Sequence, residues 1–273
     1  MNAWQAVVYG VVQGLTEFLP ISSSGHLRIL PSLAGWPDPG ASFTAVVQVG
    51  TLIAVVGYFA RDLWQISRDT VASLWQPQLR GAATVRLGWF LLLGTIPIVI
   101  IGITLRREIA GPFRNLWVTA TMLIVVGVLL YAADRWRPQQ QTMADLTPSR
   151  VVLLGFAQAA ALIPGVSRSG ATIAAGRAMG MTRESAARFS FLLSVPAIAG
   201  SAAFEARSIG IGPSPQWPIV ALATLAAFIS GYAAIAWLLR WLSRHGMLIF
   251  LLYRCALGGL LIVLLVTGRV AAQ

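Results

Sequence analysis

Apolar positions in this chain come in long unbroken runs, not in the alternations of a water-facing helix or strand. Runs over 87–105, 115–133, 218–239 and 247–267 approach the ~20 residues an α-helix needs to cross a ~30 Å hydrocarbon core. Two further runs, 41–60 and 186–206, reach that length with a few polar interruptions. Six spanning helices are therefore predicted. The stretch 61–86 is too polar to cross and is predicted to lie along the membrane surface, with Trp64 and Trp75 at the interface.

Two segments fit neither description. Residues 3–34 form a helical pattern broken by Pro20-Ile21-Ser22-Ser23-Ser24-Gly25, and residues 151–181 one broken by Pro164-Gly165-Val166-Ser167-Arg168-Ser169-Gly170. Proline and glycine stop a helix and free backbone groups that need partners. At membrane depth such backbone survives only when buried in protein or lining a wet cavity. Both segments are expected to be re-entrant helix hairpins.

The two breaks resemble each other. Residues 11–27 laid on 156–172 without gaps pair Gln13 with Gln158, Ser22 with Ser167, Ser24 with Ser169 and Gly25 with Gly170. One inserted residue later, Phe43 meets Phe189 and Val49 meets Val195. This is an internal duplication. Each copy has a hairpin followed by three spans, and an odd number of crossings inverts the second copy. The fold class expected is an all-α integral membrane protein with an inverted-topology repeat. It forms one domain over 1–273, with repeats 1–133 and 151–270 joined by a polar linker, 134–150. Inverted repeats bring their broken segments together to build binding sites.

Composition agrees: 57% of residues are hydrophobic and 11% charged, against about 25% charged in soluble chains. The net charge of +11 does not indicate nucleic acid. The basic residues are all arginine, and they are scattered through short loops without a basic cluster interleaved with aromatics. One side collects Arg61, Arg68, Arg80, Arg86, Arg135, Arg137, Arg150, Arg183, Arg188, Arg240 and Arg244. The other has Arg106, Arg107, Arg114, Arg207 and Arg269. The richer side is expected to be cytoplasmic, which puts both termini outside and has the first hairpin enter from outside. Cys255 is alone, so no intrachain disulfide can form. The N-terminus lacks a basic start and carries Glu17, so it is taken as part of the mature protein. The small-residue run 197–203 suits close packing within one chain or between two copies in a homodimer.

Ionisable groups inside apolar segments are costly and mark functional sites. Four stand out: Glu17, His26, Arg168 and Arg254. Two arginines facing one carboxylate leave surplus positive charge that invites an anionic ligand. Around them lie hydroxyls and turn backbone: Ser22, Ser23, Ser24 and Gly25 in the first break, and Ser167, Ser169 and Thr172 in the second. Glycine-containing turns entering a helix present N–H groups to phosphate oxygens, and a guanidinium fork matches phosphate geometry. Glu17 and His26 bracket the serine run as an acid/base pair. The set suits phosphoryl hydrolysis of a lipid diphosphate.

At these residues the chain resembles the undecaprenyl-diphosphatase family of the bacitracin-resistance type. QGLTEFLPISSSGH over 13–26 and PGVSRSGAT over 164–172 match its two motifs; FSFLLSVP over 189–196 and the Tyr253–Arg254 pair match as well. Gln13 stands where some members carry Glu, and the family admits both. The resemblance implies hydrolysis of undecaprenyl diphosphate to undecaprenyl phosphate, the carrier lipid of peptidoglycan precursors, on the outer side of the bacterial cytoplasmic membrane. It also implies bacitracin resistance and use of magnesium or calcium, with Glu17 the single candidate ligand and no organic cofactor.

On this reading Glu17, Ser23, His26 and Arg168 are catalytic. Gln13, Ser22, Gly25, Ser167, Ser169, Thr172 and Arg254 bind substrate, Arg254 by adding positive charge from the last span. Ser23, His26 or an activated water remains open as nucleophile, with Ser23 preferred for its place between Glu17 and His26. The competing class is a polyprenyl-phosphate flippase or transporter, which inverted repeats also serve.

Overall fold

The computed structural model describes residues 1–37, 39–136, 140–205 and 217–272. Arg137, Arg207 and the last residue of the expected span 186–206 lie outside the described residues, as does the side chain of Arg114. Among the described residues the long elements are all helical. In chain order they are α1 (Ala3–Phe18), α2 (Ser23–Ala34), α3 (Gly40–Tyr58), α4 (Ala60–Ala72), α5 (Ala83–Thr104), α6 (Arg106–Ala110), α7 (Leu116–Trp136), α8 (Pro148–Ala160), α9 (Arg168–Ala178), α10 (Arg183–Glu205), α11 (Trp217–Leu242) and α12 (Leu248–Val266).

Helices α5, α7, α10, α11 and α12 are each long and apolar enough to cross a membrane. The expected span 41–60 is different. Phe43–Tyr58 and Ala60–Ala72 qualify only as a joined pair, bent by 81°. The reason lies at the junction. The apolar pattern of α3 ends at Phe59, and α4 begins with Arg61 and Asp62, which favour water. α4 therefore turns away from the axis of α3 and leaves Trp64 70% exposed, as an interfacial helix would.

The helices pack in reciprocal pairs. α1 lies on α11, and α8 lies on α5, while α7 pairs with α12 and α3 with α10. Small residues make the first two contacts possible. A Cβ at Gly10 would fall 2.2 Å from the carbonyl oxygen of Ala223, and one at Gly155 would fall 2.6 Å from that of Gly94. Gly10 and Gly155 occupy equivalent positions when the two broken segments are superposed. Gly10→Ala is expected to destabilise the protein by about 1–3 kcal/mol, the usual cost of overpacking, read as a lower unfolding temperature in detergent.

One end of the bundle gathers the arginine-rich turns. Arg188 Nη2 lies 2.8 Å from Asp62, Arg86 donates to Ala144 O at 2.7 Å, and Arg183 Nε donates to Asp134 at 2.8 Å. Near the start of α7, Leu116 N donates to Ala272 O at 3.0 Å, joining that turn to the C-terminal segment. Inside, Phe18 meets Phe191 edge-to-face with centroids 5.4 Å apart, which closes the apolar core directly below Glu17.

Candidate active site

The two breaks fold alike. α1 stops before Leu19 and Pro20, and α8 stops before Ala161. In each case the next helix starts from a serine in a backbone region that residues with a Cβ avoid. Ser22 has φ 76° and Ser167 φ 73°. This geometry costs about 1–3 kcal/mol at a non-glycine residue. The side chain explains why serine is used. Ser22 Oγ accepts from Gly25 N at 3.3 Å and Ser167 Oγ from Gly170 N at 3.1 Å, each capping its helix. Each Oγ also pairs with a second hydroxyl, Ser24 at 3.2 Å and Ser169 at 3.1 Å. Ser23 and Arg168 thus become the first residues of α2 and α9, where backbone N–H groups have no intrahelical acceptor. The expected breaks shorten accordingly: Ser23, Ser24 and Gly25 are helical, as are Arg168, Ser169 and Gly170.

The breaks touch, and Glu17 lies at the junction. The residue is 7% exposed, and its carboxylate takes donors on both oxygens. Oε1 accepts from Arg168 Nη2 at 2.7 Å and from Gln48 Nε2 at 3.5 Å. Oε2 accepts from Ser23 Oγ at 2.7 Å and Gln13 Nε2 at 3.0 Å. Ser169 Oγ adds a cross-link to Leu19 O at 3.1 Å. A carboxylate aligned on a hydroxyl, with a guanidinium on its other oxygen, is the arrangement of an activated nucleophile beside an anion clamp. Beside it, Glu17, Phe18, Arg168, Ser169, Ser190, Phe191 and Ser194 enclose a cavity of about 10 Å³, at the lower limit for one water. A phosphate cannot enter this space without displacing side chains.

Expected site residues divide by what they touch. Glu17, Ser23, Arg168 and Gln13 form the connected centre. Ser22, Gly25, Ser167 and Ser169 shape the turns. His26 stands apart from Glu17: its Nδ1 lies 2.7 Å from Ser22 O and its Nε2 2.6 Å from Tyr253 Oη. Thr172 donates back to Arg168 O at 2.7 Å and pairs with Ser190 Oγ, so it fixes the Arg168 turn and is not presented to a ligand.

Arg254 corrects the expectation of a substrate-facing charge. It is fully buried, and its guanidinium is committed to carbonyls. Nε donates to Leu123 O at 2.8 Å and Nη1 to Pro20 O at 3.0 Å. Nη2 reaches Gly165 O at 2.8 Å and Met122 O at 3.0 Å. Carbonyls freed by both breaks need donors where water is scarce, and one planar fork serves both.

Three features escaped the sequence reasoning. Gln48 is a fourth donor to Glu17, and its signal was an amide inside an apolar run. Tyr253 had been noted only as half of a matching pair, not as a partner of His26. A third cluster lies at the other end of α9, where buried Asp134 accepts from Arg177 Nε at 2.8 Å and from both Arg183 Nε and Nη2 at 2.8 Å. A divalent cation fits the protein groups poorly. Among the described residues no three His, Cys, Asp or Glu side chains gather as a ligand set, and both Glu17 oxygens already accept two donors each, whereas hard cations need several free oxygens.

A model of the family described as "Bacitracin resistance protein BacA" matches residues 6–260, which include both breaks and Tyr253–Arg254. The chain belongs to this family. Similar proteins include the undecaprenyl-diphosphatase of Nocardioides sp., 50% identical over 269 residues and 98% of both chains. Undecaprenyl-diphosphatase 3 of Frankia alni is 50% identical over 291 residues, covering 100% of this chain and 98% of that one. The undecaprenyl-diphosphatase of Thermobifida fusca is 46% identical over 98% of this chain and 92% of its own length.

Proposed function

We propose that this membrane protein is an undecaprenyl-diphosphatase that cleaves undecaprenyl diphosphate to undecaprenyl phosphate and inorganic phosphate at the Glu17–Ser23–Arg168 centre. The observation that carries the assignment of the centre is the shared carboxylate, with Ser23 Oγ 2.7 Å from Glu17 Oε2 and Arg168 Nη2 2.7 Å from Oε1. The prenyl chain stays in lipid while the diphosphate replaces the Glu17 contact of Arg168 and meets the N–H groups opening α2 and α9. Ser23 gives its proton to Glu17 as Oγ bonds to the terminal phosphorus, and undecaprenyl phosphate leaves. Water then attacks the phosphoserine and gives its proton to His26, which releases it to bulk water as phosphate leaves. Ser23 Oγ departs and recovers its proton from Glu17. The carrier lipid returns to peptidoglycan precursor synthesis, and its recycling underlies bacitracin resistance. A magnesium or calcium ion would be held by diphosphate oxygens and water, since no protein ligand set gathers among the described residues.

The same proposal places the protein in the bacterial cytoplasmic membrane, with the site facing the outer side and both termini outside. Arginine asymmetry supports that orientation. The halves 1–133 and 151–270 are taken as an inverted repeat. Support comes from the matching serine caps and from the reciprocal packing of α1 on α11 and α8 on α5.

The test uses undecaprenyl diphosphate labelled in its terminal phosphate and quenched with acid during turnover. Label on Ser23 is expected, and Ser23→Ala should lower turnover by roughly a thousandfold. Label on His26, or Ser23→Ala turning over at the parental rate, contradicts the assignment.

A further inference from the structure

The ring of His26 is held from two sides. Nδ1 lies 2.7 Å from the carbonyl oxygen of Ser22. A carbonyl can only accept, so Nδ1 carries a proton. In the neutral ring Nε2 is then a lone-pair acceptor. The group facing it at 2.6 Å is the hydroxyl of Tyr253, which can donate. The two rings are nearly parallel, with an interplanar angle of 8°, so they lie flat to each other while the hydroxyl closes the contact. Tyr253 is 43% exposed, so its side chain is not sealed inside the bundle.

The anchoring of Tyr253 is unusually firm for a residue on a lipid-facing helix. Its neighbour Arg254 is fixed to Pro20 in the first break and to Gly165 and Val166 in the second. Ser22, which orients the other side of His26, lies two residues after Pro20. The same pair of residues on α12 therefore sets both the shape of the breaks and the ring of His26.

We propose that Tyr253 is a positioning residue for hydrolysis. Its hydroxyl donates to Nε2, holds His26 in the Nδ1–H tautomer and keeps Nε2 unprotonated until the water that resolves the phosphoserine takes its place. Tyr253 itself touches neither phosphorus nor the attacking oxygen. Once the water is consumed and His26 is charged, the hydroxyl can return and turn to accept from Nε2–H. This role rests on the hydrolase reading, but the tautomer and the hydrogen bond do not.

The test is Tyr253→Phe, which keeps the ring and its packing and removes only the hydroxyl. The chain has two histidines, and His245 stacks on Trp241 at 4.0 Å between ring centroids. Spectra of ¹⁵N-histidine-labelled protein in detergent, with His245→Gln for assignment, therefore isolate His26 without substrate. In the parent, Nδ1 is expected to carry the proton and Nε2 to show the shift of a hydrogen-bonded acceptor. In Tyr253→Phe the Nε2 signal should move toward that of a free lone pair. Turnover of undecaprenyl diphosphate should fall on the order of tenfold in kcat, the effect of one hydrogen bond, with KM changed less than about twofold. A parental Nε2 that carries the proton overturns the proposal. So does an Nε2 signal that Tyr253→Phe leaves unmoved, or a rise in KM at constant kcat, which would make Tyr253 a substrate-binding group. A parent that shows the tautomer and hydrogen bond but does not hydrolyse the lipid overturns the positioning role through the hydrolase reading alone.

Discussion

Glu17→Gln is expected to lower phosphate release by on the order of a thousandfold or more. The amide is nearly the same shape as the carboxylate, so packing changes little. Its chemistry changes in two ways. Both oxygens of Glu17 receive donors, from Arg168 and Gln48 on one and from Ser23 and Gln13 on the other. One end of the new side chain must be an NH₂ group: toward Arg168 it opposes an obligatory donor, and toward Ser23 it makes the hydroxyl an acceptor, turned away from its role as proton donor. The amide also takes no proton from Ser23. Loss of the charge leaves Arg168 uncompensated, which costs up to about 3–5 kcal/mol for a buried pair, so the unfolding temperature should fall as well. Glu17→Asp separates the two effects. It keeps the charge but shortens the reach by one methylene, and it should recover the melting point before it recovers turnover. Phosphate release and thermal unfolding measured on the three proteins check this. A Glu17→Gln variant turning over within about tenfold of the parent removes Glu17 from the proton transfer.

The largest effect on stability is expected at Arg254. Truncation to Met fills part of the volume but leaves the break carbonyls of Pro20, Gly165 and Val166 without their donor, while Met122 and Leu123 in α7 lose only a second one. Each unsatisfied buried group costs about 1–3 kcal/mol, and relaxation recovers only part of that. Arg254→Met should therefore lose several kcal/mol, roughly 3–5 as for a buried charge network broken from one side, and accumulate poorly in membranes. Arg254→Lys should rescue it only in part, because an ammonium lacks the planar fork that spans both breaks. Thermal unfolding in detergent ranks the three. An Arg254→Met protein as stable as the parent, but weak in substrate binding, would return Arg254 to the role of a direct ligand.

Much of this architecture is legible in the sequence, and the reason is solvent. In a hydrocarbon environment a charge or a broken helix is expensive enough to stand out in one sequence. Glu17, Arg168 and both Pro–Ser–Gly breaks were found that way, and the self-similarity of the breaks led to the idea that they meet. The physics that was missed is quieter. Arg254 was visible as a buried charge, but the carbonyls that satisfy it belong to backbone, which has no letter in a sequence. Gln48 carries no charge, and an amide in an apolar run is as compatible with helix packing as with a site. The bend between α3 and α4 was half visible: polarity showed where the span ends, whereas the 81° turn depends on what α4 packs against. Ser22 and Ser167 read in the sequence as substrate-binding hydroxyls within the breaks, and their positive φ cannot be read from residue type, because serine rarely adopts it.

Release of inorganic phosphate from undecaprenyl diphosphate by the purified protein in detergent, where no second compartment exists, decides between hydrolysis and transport. Sustained release is expected, many phosphates per protein, reduced to near background in Glu17→Gln. A parent that unfolds cooperatively but releases no phosphate, with or without magnesium or calcium, would contradict it and leave lipid transport as the reading that the reciprocal helix packing supports.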